Sequence, residues 1–65
     1  MKINFDKEHD IMRIKFQDSE YEMSREVDDG IVIDIDKKGK IIAIEILDVS
    51  DKMSKESIRE LRAKV

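Results

Sequence analysis

Residues 31–47 read IVIDIDKKGKIIAIEIL, from Ile31 to Leu47, and have the pattern of two strands joined by a tight turn. Ile31, Ile33 and Ile35 share one parity against Val32, Asp34 and Asp36, the alternation of a half-buried strand. Asp36-Lys37-Lys38-Gly39 suits a type I turn with glycine in the left-handed position, which closes a short hairpin. In the returning strand, Lys40 to Leu47, Ile42, Ile44 and Ile46 mark one face. Ile41, Ala43 and Leu47 make the other face apolar too, interrupted only by Glu45. A strand apolar on both sides is normally covered on both sides. The expectation is that Ile41, Ala43 and Leu47 form an interface.

Toward the N-terminus, Asp28-Asp29-Gly30 reads as a turn, since Asp tolerates tight backbone geometry and Gly supplies positive φ. Before it, Tyr21, Met23 and Val27 share a parity with Arg25, while Glu20, Glu22, Ser24 and Glu26 fill the other. That is an edge-like strand with an irregularity near Ser24. From Ile11 to Phe16, Met12, Ile14 and Phe16 oppose Arg13 and Lys15, another half-buried strand. The polar run Asp6 to Asp10 separates it from a short strand at Ile3, Asn4 and Phe5. Ile14, Ile33 and Ile44 are expected to be buried on one face.

Beyond residue 50 the period changes. Ser54 is a good N-cap, with Met53 before it and Ile58 at the spacing of a hydrophobic staple. Ile58, Leu61 and Val65 recur as a narrow apolar stripe, and Arg59, Arg62 and Lys64 crowd the helix end, where cations suit the dipole. The pattern predicts a helix from Lys55 to roughly Lys64, too short to persist unless it docks. The fold class is therefore α+β: an antiparallel four- to five-stranded β-meander with one C-terminal helix packed on the sheet. Residues 1–65 form a single small domain, with the meander in 1–50 and the helical tail in 51–65.

Within this sequence, Val27-Asp28-Asp29-Gly30-Ile31-Val32-Ile33-Asp34-Ile35-Asp36, then Gly39 and Ile44-Glu45-Ile46-Leu47, form one recognisable pattern. With Phe5-Asp6 and Asp10-Ile11-Met12-Arg13-Ile14 upstream, it resembles the small prokaryotic family catalogued as domain of unknown function 2283, over roughly residues 2 to 50. The turn at Glu26-Val27-Asp28-Asp29-Gly30 and the strand Ile44 to Leu47 carry most of the likeness. Ala43 stands where that family favours glycine, Lys7 stands where it favours proline, and the tail after Asp51 lies outside the pattern. The resemblance implies a fold and supplies no catalytic residues. Some relatives are thought to be encoded beside small toxin-like proteins, which implies an antitoxin-like partner role.

Composition narrows the function classes. The chain is 45% charged and 40% apolar, with eleven Ile against two Leu, so it is polar enough to dissolve yet apolar enough to fold. Without cysteine there are no disulfides and no Cys-based zinc sites, which suits a reducing compartment. No run approaches the roughly 18 apolar residues of a membrane span, and the charged N-terminus lacks a secretory apolar core. The expectation is a cytoplasmic protein with no membrane association. A chain of 65 residues buries only roughly 60% of its unfolded surface, so an extra source of stability is expected. With no disulfide available, that source is a two-fold homodimer.

Candidate sites are few. Asp34, Asp36, Gly39 and Glu45 match positions of the EF-hand calcium loop, with Ile41 at its apolar position. Lys38, however, puts an ammonium where an oxygen ligand belongs, and the flanks have the period of strands rather than helices. Asp6, Glu8, His9 and Asp10 could hold a divalent ion or small ligand, although a solvated turn uses the same residue types. No nucleophile elbow, HExxH or phosphate-binding glycine loop occurs, and no cofactor is implied. Residues 18–36 carry eight acidic side chains and one Arg25, whereas residues 51–65 carry five basic and three acidic ones. The acidic segment favours a basic protein partner and disfavours nucleic acid. The chain is thus expected to be a non-enzymatic, self-associating interaction module, with a metal- or ligand-binding loop at Asp6 to Asp10 as the rival.

Overall fold

The computed structural model describes residues 1–64. Five strands form one antiparallel sheet: β1 (Lys2–Asp6), β2 (Ile11–Lys15), β3 (Tyr21–Asp28), β4 (Ile31–Asp36) and β5 (Ile41–Ile46). Two helices follow, α1 (Val49–Lys52) and α2 (Lys55–Lys64). The α+β architecture is as the alternation predicts. The helical part begins at Val49, slightly before the boundary drawn from composition. Val65, placed by its spacing on the apolar stripe of the helix, lies outside the described residues.

Across the sheet the order is β1-β2-β5-β4-β3. Strands β3, β4 and β5 form a three-stranded meander, and the β1–β2 hairpin adds to it along β5. In register, Ile3 faces Ile14, Phe5 faces Met12, Met12 faces Ile46, and Ile14 faces Ile44. On the other side of β5, Ile31 faces Ile46 and Ile33 faces Ile44. Because side chains alternate with period two, these residues share one face. Arg13, Lys15, Val32, Asp34, Ala43 and Glu45 share the opposite face.

The β4–β5 turn forms as its residues require. The Asp36 amide donates to the Lys40 carbonyl at 2.9 Å, the Gly39 amide donates to the Asp36 carbonyl at 3.0 Å, and Gly39 adopts φ 83°. The Asp36 carboxylate then accepts the Lys38 and Lys40 amides at 2.9 and 2.8 Å. Beyond the turn, a bulge lets Ile35 pair with Ile41 although Asp34 pairs with Ala43. Edge strand β3 carries two register shifts, one on either side of the Ser24 region, and is exposed along its length. Bulges and charge of this kind blunt an edge against unwanted strand pairing.

One end of the sheet gathers the Asp6–Asp10 turn, the Asp28–Gly30 turn and the end of β5. Helix α1 closes that end with Val49, which is fully buried. Its first turn is capped from a distance. The Val49 amide donates to the Asp10 carbonyl at 3.1 Å, and the Ser50 amide and hydroxyl donate to the Asp10 carboxylate at 3.1 and 2.9 Å. Ser54 caps α2, accepting the Ser57 amide at 3.1 Å, as its position before the helix predicts.

The core is thinner than the sequence suggests. Met12, Ile42, Ala43 and Val49 are buried, but Ile14, Ile33 and Ile44, expected to be buried, are only half-buried. They do share a face, as their parity requires. Among the described residues, two short helices are all that covers five strands, and one helix of about 10 Å diameter spans only part of a sheet roughly 20–25 Å wide.

Candidate interaction surface

The two sheet faces have different chemistry. On the face of Ala43, Arg13 of β2 donates to Asp34 of β4 at 3.0 Å and lies 3.3 Å from Glu45 of β5. To reach β4 from β2 the guanidinium must cross β5 between Glu45 and Ala43, since Arg13 registers with Glu45 and Asp34 with Ala43. The hydroxyl of Ser24 donates to the other Asp34 oxygen at 2.7 Å, and the Tyr21 and Ser24 hydroxyls lie 2.8 Å apart. A polar network running from β2 to β3 thus covers this face. Ala43 is 0% exposed beneath it. Something does lie on the second face of β5, and among the described residues it is a charged bridge.

This places the residues expected to form an interface. Ala43 is fully buried, Leu47 is half-buried near the end of the sheet, and Ile41 is 42% exposed beside the bulge. The three do not make a continuous open patch. The apolar surface that remains open lies on the other face, through half-buried Ile14, Ile33, Ile35 and Ile44 and, on β3, Met23 at 41% and Val27 at 52% exposure, with Arg25 between these two in register with Ile33.

The calcium-like spacing does not assemble a site. Asp34 is engaged by Arg13 and Ser24, Glu45 pairs with Arg13, and Asp36 serves its own turn. Asp36 also accepts the Ser19 hydroxyl at 2.7 Å. That hydroxyl, followed by the Lys40 amide, holds its carboxyl below the ordinary aspartate value.

In the Asp6–Asp10 loop the candidate ligands separate. The Asp6 carboxylate accepts the Glu8 and His9 amides at 3.1 Å each and lies 2.8 Å from His9 Nδ1, contacts that lower its pKa, the His9 side chain foremost. Asp10 instead turns to α1, at φ 57°. No group of three or more His, Cys, Asp or Glu side chains is placed to hold a metal ion among the described residues. Sequence reasoning missed the helix-capping role of Asp10. Its partner Ser50 is remote in the chain, and no local spacing connects the two.

Helix α2 is segregated by charge. Lys55, Arg59 and Arg62 fall within one stripe at helical spacing and, with Ile58 and Ser50, line a shallow groove of about 350 Å³. The Arg62 guanidinium lies 5.6 Å from the centre of the Phe5 ring, which brings α2 to the β1 side of the apolar face.

A family model described as "Protein of unknown function (DUF2283)" matches residues 2–50. The chain belongs to this family. The DUF2283 match spans all five strands and reaches Ser50 in α1, so it includes Asp10, Arg13, Asp34 and Ala43 and leaves α2 outside. No curated protein and no solved structure matches the chain.

Proposed function

We propose that this DUF2283 protein is a non-enzymatic interaction module that self-associates through the open part of its apolar sheet face. One observation carries the reading: the face bearing Ile14, Ile33 and Ile44 is only half-buried, and on β3 it reaches the exposed Met23 and Val27, on either side of Arg25. An open, largely apolar surface of this kind marks an interaction site, and a symmetric pair is the commonest way to close one.

A comparison of Met23→Lys with Val32→Lys, by light scattering at matched concentration, tests this, since Val32 lies on the opposite face in register with Glu45 and Glu26. A charge at Met23 should dissociate the assembly and one at Val32 should leave it intact. Equal effects from both would contradict the assignment of faces.

A basic protein partner, in an antitoxin-like role, is the second reading. It is supported by Glu22, Glu26, Asp28 and Asp29, which form no ion pair among the described residues. A heterologous complex that forms with a basic partner and weakens steeply with salt would favour it.

A further inference from the structure

We infer that β1 is a self-pairing edge: two copies join β1 to β1 antiparallel about Asn4, so that two five-stranded sheets become one continuous sheet. This goes beyond the face contact proposed above and does not depend on it.

Of the two sheet edges, β1 is the unprotected one. Edge strand β3 is interrupted by two register shifts and carries Glu22, Arg25, Glu26 and Asp28. By contrast, β1 pairs with β2 residue for residue from Lys2 to Asp6 without a shift, and its centre, Ile3-Asn4-Phe5, is uncharged. Ile3 is 37% exposed, and Lys2, Asn4 and Asp6 are exposed too. A regular edge with an uncharged centre is a template for another strand.

Ladder parity decides which backbone groups of β1 face outward. The Phe16 amide donates to the Ile42 carbonyl at 2.8 Å, so the even residues of β2 turn their backbone groups toward β5. The odd residues Ile11, Arg13 and Lys15 turn theirs toward β1, where they register with Asp6, Asn4 and Lys2. The amides and carbonyls of Ile3 and Phe5 therefore point away from the sheet.

These outward residues complement themselves. An antiparallel pair centred on Asn4 sets Ile3 against Phe5, Lys2 against Asp6, and Asn4 against its own copy. Ile3 and Phe5 then exchange both backbone bonds on each side of the axis. Lys2 forms no ion pair among the described residues: Lys15 stands opposite it in β2, and Asp18 pairs with Lys15. Asp6 already accepts the Glu8 and His9 amides, yet its side chain is 51% exposed and can also meet Lys2 of a second copy. A shift of two residues would lose both ion pairs, which fixes the register. The Arg62 guanidinium meets the Phe5 ring on the sheet face, so the two copies of Arg62 lie over diagonal positions, in solvent that screens them. The axis is normal to the sheet, and both open apolar faces stay on the same side.

A five-residue strand against its copy buries less than the roughly 1,200 Å² at the low end of stable interfaces, so the pair forms at high concentration. Amide exchange in Met23→Lys, which removes the face contact proposed above, isolates it. From about 50 μM to about 2 mM, the Ile3 and Phe5 amides should slow at least about twofold, the slowing when half the chains are paired. Amides on the free side of β3 should not change. Asn4→Asp and Asn4→Lys, each added to Met23→Lys, set like charges across the axis, and each alone should lose the slowing. Their equimolar mixture should restore it, and that recovery shows that both are folded. Exchange at Ile3 and Phe5 that is independent of concentration would overturn the edge pair and leave the face contact standing. So would loss without recovery on mixing, or equal slowing along β3. A wild type that stays monomeric up to about 100 μM would remove the face contact alone, because the edge pair is read at higher concentration without it.

Discussion

Arg13 and Asp34 are joined at 3.0 Å over a strand that belongs to neither of them. They sit on β2 and β4 with β5 between, and the β5 residue in register with Asp34 is Ala43, whose small side chain is fully buried. The partly buried carboxylate is satisfied on both oxygens, by Arg13 and by Ser24, so loss of the crossing would leave a poorly solvated charge.

Ala43→Leu should therefore destabilise the fold by about 1–3 kcal/mol, the usual cost of overpacking, by lifting the guanidinium off Asp34. Ala43→Gly should be milder, by about 1 kcal/mol or less. Denaturation midpoints of the two variants check the order. If Leu were the milder change, the bridge would not be what covers this face.

Asp10 should behave as the N-cap of a helix that begins far along the chain. Asp10→Ala removes the acceptor for Ser50 and places a Cβ-bearing residue without polar compensation at φ 57°. A loss of about 0.5–2 kcal/mol is expected, with Asp10→Asn retaining most of the stability. Amide exchange at Val49 and Ser50 should quicken in Asp10→Ala alone.

Gly39 isolates a backbone effect. An added Cβ would meet nothing within 4 Å, yet φ is 83°, so the cost of substitution is conformational and not steric crowding. Gly39→Val should lose about 1 kcal/mol or more, and Gly39→Asn should lose clearly less. Equal urea midpoints for wild type and Gly39→Val would remove the turn assignment.

Much of this was legible because period-two alternation and turn chemistry are local. The β4–β5 hairpin, the polar Asp6–Asp10 turn and the Ser54 cap each follow from residues a few positions apart. What pairs with β5 on its far side is a long-range matter, and so the meaning of Ala43 was not legible. Apolar residues on both parities of β5 suggested a second apolar layer, whereas the Arg13–Asp34 crossing covers Ala43. The burial of Ile14, Ile33 and Ile44 was overestimated for a related reason. Parity says which face a side chain takes, and says nothing of how much of that face two short helices reach. Asp10 was legible as a turn residue and as a ligand candidate, and its bond to Ser50 depends on how α1 folds back.

Acid should weaken the fold through carboxylates whose pKa is lower in the native state than in the unfolded chain. Asp36 is held below its ordinary value of 3.8 by the Ser19 hydroxyl and then the Lys40 amide. Asp18 is lowered by Lys15, and Asp6 by His9. In each case the unfolded state binds the proton more readily, so the contribution is complete above about pH 4 and disappears as pH falls through the lower native values. Asp36→Asn should flatten the acid limb of stability between about pH 4 and pH 2. An unchanged limb would mean that Asp36 gains nothing from its ionised contacts.

Closure of the half-covered apolar face against a second copy can be read from sedimentation equilibrium of the wild-type protein. From about 1 to 100 μM, a concentration range that brackets ordinary dimer affinities, a reversible approach to twice the 7.7 kDa chain mass is expected. A single species of 7.7 kDa, unchanged across that range, would contradict it.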